Sequence, residues 1–105
     1  MISFDEARNI VETAELPDWR PDLGTYMVAY WGMEDASDWA IISGAKECIV
    51  GGDSDYALMD WPMKLVNKVT GAITRIGFGD RAGWQRIDAM APVGVSPLPD
   101  VVAPQ

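Results

Sequence analysis

Histidine is missing from all 105 residues, and with it go the commonest general base, the Ser-His and Cys-His dyads and most transition-metal sites. Cysteine occurs once, as Cys48; no internal disulfide can form, and a lone thiol fits a reducing compartment and a core built by burial. No apolar run approaches the roughly 18 residues of a membrane-spanning helix, and Met1-Ile2-Ser3-Phe4-Asp5-Glu6 places two acids where a secretory leader needs Lys or Arg. The expected location is the cytoplasm. Bases are also scarce, with 8 Lys and Arg against 16 Asp and Glu and a net charge of −8. That balance repels nucleic acid and anionic membranes, because too few cations remain to neutralise a phosphate track.

What charge there is, is unevenly placed. Thirteen acids face three bases from Met1 to Asp60, whereas Trp61 to Gln105 has three acids and five bases. A one-signed surface steers oppositely charged partners, so the acidic half reads as a face for a basic protein. The chain has the length of one domain and can hold one core.

Ser3 followed by Glu6 forms a capping box, and Phe4, Ala7, Ile10, Val11 and Ala14 recur at helical steps, which predicts an amphipathic helix ending near Leu16, before Pro17. Trp19 is expected to fold back from the following loop as a core plug. Thr25–Trp31 and Asp38–Ser43 read as strands joined by the polar loop Met33–Ser37. Lys46–Val50 alternates as a further strand ending at Gly51-Gly52, and Met63–Val66 pairs with Ala72–Ile76 across Asn67–Gly71, with Gly71 in the left-handed position. Asp80–Met90 suits a short helix, and Pro97, Pro99 and Pro104 predict an extended or disordered tail over 96–105. The expected class is α+β. It comprises one domain over 1–95, an N-terminal helix packed on an antiparallel sheet of four or five strands, a short C-terminal helix and a Pro-rich tail, with helical cover on one sheet face.

Catalytic patterns are weak. Cys48 lies beside Ile49 with Lys46 two residues away, and reads as a small buried hydrophobe. The many carboxylates show no spacing that forces a pair into one cleft, so acid–base or glycosidic chemistry is not indicated. Asp53-Ser54-Asp55 resembles the start of a calcium loop, but Ala57 and Leu58 stand where a ligand and the turn glycine belong. Gly77-Phe78-Gly79 with Gly83 has its third glycine one residue late for a dinucleotide fingerprint and lacks a βαβ unit. The chain is therefore expected to be no enzyme and to use no cofactor or metal. Loop acids Glu34, Asp35, Asp38, Asp53, Asp55 and Asp60 alternate with Trp31, Trp39, Tyr56 and Trp61, the mixture that an interface with a basic partner uses.

The runs Gly44-Ala45-Lys46-Glu47, Gly52-Asp53, Tyr56, Asp60-x-Pro62, Leu65-Val66-Asn67-Lys68-x-Thr70-Gly71 and Arg86-Ile87-Asp88-x-Met90-x-Pro92-Val93-Gly94, with the opening Ile2–Ala7, resemble the small YrhB-like bacterial proteins. These overlap with immunity proteins of polymorphic toxin systems. The likeness covers most of the chain and departs from the family at Asn67, where Asp is expected. It implies an α+β fold, no catalysis and, in some members, neutralisation of a toxin made by a neighbouring gene; it transfers no active-site residues. The combined expectation is an immunity protein that binds a cognate basic toxin domain through Glu34, Asp35, Asp38, Asp53, Asp55, Asp60 and Trp61. The alternative is a YrhB-type stability factor or adaptor that binds client proteins without a toxin.

Overall fold

A computed structural model describes residues 1–57 and 62–94. Helix α1 (Phe4–Glu15) starts at the expected box: Ser3 Oγ accepts from the Glu6 amide at 3.1 Å, and Glu6 Oε1 accepts from the Ser3 amide at 2.8 Å. It gives way at Leu16–Asp18 to a 3-10 turn with Pro17 near its start, and a second such turn, Pro21–Leu23, leads to the sheet. Five strands follow: β1 (Tyr26–Glu34), β2 (Asp38–Ala45), β3 (Met63–Asn67), β4 (Ile73–Ile76) and β5 (Ala91–Val93). Their order is β4-β3-β2-β1-β5, with every neighbouring pair antiparallel. Helix α2 (Lys46–Ile49) follows β2, and α3 (Arg81–Asp88) carries the chain from β4 at one edge to β5 at the other.

The pleat explains the two-sided core. Val28, Ile41 and Val66 turn to one face and pack with Ala7 and Val11 of α1. Ala40 and Leu65, their chain neighbours, turn to the other and pack with Ile76 and with Ile87 of α3. Helices thus cover both faces, where cover on one face was expected. The second face was hard to read because α3 supplies a single buried residue, Ile87. Gly83 lets α3 approach closely, since a Cβ there would stand 2.6 Å from Ile76 Cγ2.

Two expectations about strands are corrected, and an edge strand forms where none was predicted. Lys46–Val50 is helical up to Ile49: the Lys46 amide bonds to Thr25 O at 2.7 Å, and the Glu47 carboxylate takes the Thr25 amide and hydroxyl, so tertiary bonds override a weak alternation. Strand β1 runs through Gly32 to Glu34 instead of stopping, because that glycine serves packing: a Cβ would lie 2.4 Å from Ala40 O and 3.1 Å from a Phe4 ring carbon. β5 forms across Pro92, which a sheet edge tolerates because no neighbour needs its missing N–H. The β3–β4 turn is as expected, with Gly71 at φ 77°. The predicted tail over 96–105 lies outside the described residues, and no helix among those described is long and apolar enough to cross a membrane.

Candidate binding surface

The acids singled out in the sequence divide between the two ends of the β1–β2 hairpin, which are about 23 Å apart for an eight-residue strand. At the turn end, Glu34, Asp35 and Asp38 are already engaged. Glu34 Oε1 lies 2.7 Å from Lys68 Nζ, and that ammonium sits 4.2 Å from the Trp39 ring centroid. Asp35 receives Arg86 Nε at 2.8 Å, while Arg86 Nη2 reaches both Asp38 and Ser37 Oγ, so the guanidinium of α3 is clasped by the hairpin tip. Asp35 Oδ1 also accepts from the Ser37 and Asp38 amides at 3.0 and 2.9 Å. Its pKa is held well below the usual carboxylate range, first by the hydrogen bond from Arg86 and further by these amides. Trp39, one of the aromatics interleaved with these acids, anchors the fold: its ring meets Phe4 edge-on at 5.5 Å, and its Nε1 donates to Ile2 O at 2.8 Å.

The opposite end differs. Asp53 and Asp55 are exposed, on and beside the 3-10 turn Ser54–Tyr56, with Asp53 Oδ1 accepting from the Asp55 amide at 3.0 Å. This turn lies against Gly24, where a Cβ would stand 2.9 Å from Tyr56 Cδ1 and 2.8 Å from Glu47 Oε1. Trp19 donates its Nε1 proton to Gly24 O at 2.8 Å and meets Tyr26 edge-on at 5.2 Å, folding back as expected but staying half-buried instead of plugging the core. The two proline-led turns therefore bring exposed Asp18 and Asp22 to the same end as Asp53 and Asp55, over half-buried Trp19, Tyr26 and Tyr56. Asp22 pairs with exposed Arg20 at 3.2 Å. Asp60 and Trp61 lie outside the described residues.

Beneath this end lies a buried polar group that the sequence reading missed. Lys64 Nζ is 2.9 Å from Glu15 Oε2, with 1% and 6% of the two side chains exposed. Glu15 Oε1 accepts from Ser43 Oγ at 2.6 Å and from the Tyr26 hydroxyl at 2.8 Å, and Lys64 also donates to Pro62 O at 2.5 Å. Burial lowers the Lys64 pKa against the opposing pull of Glu15, while burial and then Glu15 push the Tyr26 phenol well up. Such a pair holds α1 to β1, β2 and β3. One signal was available, since alternation across Met63-Lys64-Leu65-Val66 sets Lys64 beside Val66 on an inward face. Asp18 and Asp22 carried no comparable signal. Compared with protein-family models, curated proteins and solved structures, the chain matches none.

Proposed function

We propose that this protein is a cytoplasmic, non-catalytic binding module of the immunity type, which neutralises a basic toxin domain by docking its acidic, aromatic-floored end against the toxin's cationic cleft. The observation that supports this reading is the convergence of Asp18, Asp22, Asp53 and Asp55, all exposed, from two separate loop regions over Trp19, Tyr26 and Tyr56. Rings supply contact area that loses water on docking, and carboxylates supply steering and register. Within the originally expected set, Asp53 and Asp55 (with Asp60 and Trp61 next along the chain) keep this role, while Glu34, Asp35 and Asp38 act first on the fold.

The test is co-expression with toxin domains encoded beside the gene, read as growth rescue. Asp18→Lys with Asp55→Lys is expected to abolish rescue while leaving the urea midpoint unchanged, because both side chains are exposed and, among the described residues, neither enters an ion pair or a capping bond. Full rescue by that variant would sink the assigned surface, and absence of rescue by the native chain would sink the immunity reading.

A further inference from the structure

The loop after β4 and the start of α3 form a second surface of opposite character. Phe78 is 75% exposed and Trp84 37% exposed, and with Gly79, Arg81, Gln85 and Asp88 they line an open groove of about 490 Å³. Trp84 is pinned by its Nε1–H bond to Gly77 O at 2.9 Å, and the helix start beneath it is fixed by Asp80 Oδ1 accepting from the Gly83 amide at 2.9 Å. A groove already held in place loses little conformational freedom when it is filled.

Two further observations bear on what fills it. Gly77 and Gly79 flank Phe78, yet neither has a left-handed φ, and a Cβ on either would meet nothing within 4 Å. The isolated fold gives no reason for glycine there, whereas close approach of a second backbone would. Arg81 and Arg75, both exposed, enter none of the ion pairs formed among the described residues, although the chain has twice as many acids as bases. Arg81 lines the groove outside any of those ion pairs, and the opposite charge, Asp88, lies about two helical turns further along α3, so the planar Arg81 guanidinium can take a carboxylate.

We infer that this groove is a docking site for an extended apolar segment of another protein carrying an Asp or Glu, whose aliphatic or proline side chains cover Phe78 and Trp84 while its carboxylate pairs with Arg81. The site is independent of the aspartates at the hairpin's far end, so its failure and the failure of the immunity reading are separable.

The test is selection of a random displayed-peptide library on the full chain, followed by titration of the selected synthetic peptides. The expected peptides combine Leu, Ile, Phe or Pro with Asp or Glu. They are expected to bind at least tenfold more weakly to Phe78→Ala and to Arg81→Glu, and equally to Asp53→Lys. Both affected side chains are exposed, so the variants should fold, which circular dichroism checks. A library that yields no peptide sensitive to Phe78→Ala, or that yields basic ones, overturns the proposal. A concentration-dependent dimer dissolved by Phe78→Ala would assign the groove to a second copy. A tenfold gain in peptide affinity on deleting residues 95–105 would assign it to the chain's own segment. Either result also overturns the proposal.

Discussion

Lys64 illustrates how one residue can tie an element in place at a cost in tolerance. An ammonium at 1% exposure is stable only while Glu15 faces it, and removing one member of such a pair strands the other charge in a low-dielectric interior. Glu15→Ala is therefore expected to lower stability by about 3–5 kcal/mol in urea unfolding. Glu15→Gln combined with Lys64→Met should recover most of that loss, because no charge is left buried and an amide oxygen still accepts from Tyr26 and Ser43. A double variant as unstable as the single one would refute this account. Tyr26 adds a pH signature. Its pKa is raised by burial and by Glu15, so its contribution to stability is complete below the ordinary phenol pKa of about 10 and is lost as pH rises through and beyond it. The urea midpoint should fall more steeply between about pH 9 and 11 in the native chain than in Tyr26→Phe.

Among the elements, the clasp between the β1–β2 tip and α3 is held by charge more than by apolar burial. Arg86 is 41% exposed on its side chain, so its loss in Arg86→Ala should cost only about 1 kcal/mol. The sharper readout is acid. Asp35, with its pKa depressed by Arg86 and the loop amides, contributes stability that is full above its unfolded pKa of about 3.9 and is lost as pH falls below that value. This acid-side loss should shrink in Arg86→Ala; an unchanged acid limb would mean the clasp does not stabilise the fold. Elements governed by local chemistry are legible in the sequence: the Ser3–Glu6 box announces α1, and the Asn67–Gly71 turn announces β3–β4. Those governed by distant partners are not. The apparent alternation of Lys46–Val50 yielded to bonds with Thr25, and β5 needed β1 to define it. Loop acids could be named, but not their distribution between two ends, since only the fold decides which carboxylates meet Arg86 and Lys68.

At the scale of the whole molecule, the net charge of −8 bears on encounter. Long-range attraction to a basic toxin should make the association rate fall tenfold or more as ionic strength rises from about 0.01 to about 0.15 M, while the screening length contracts from about 30 to about 8 Å. Stopped-flow mixing measures this, and a flat salt dependence would remove electrostatic steering from the account. The strand order has a further consequence, for synthesis. β1 receives its outer neighbour β5 only after α3 has crossed the sheet. Between Glu34 and Ala91 a ribosome adds about 57 residues at roughly 5–20 per second, so the far rim of β1 waits for about 3–11 s in the nascent chain. Farther along β1, outside the Gly32–Glu34 stretch that β5 covers, Arg8 withdraws the Val28 and Ala29 carbonyls through bonds of 3.1 and 2.8 Å. Without it, a half-made sheet would offer those acceptors to any passing strand.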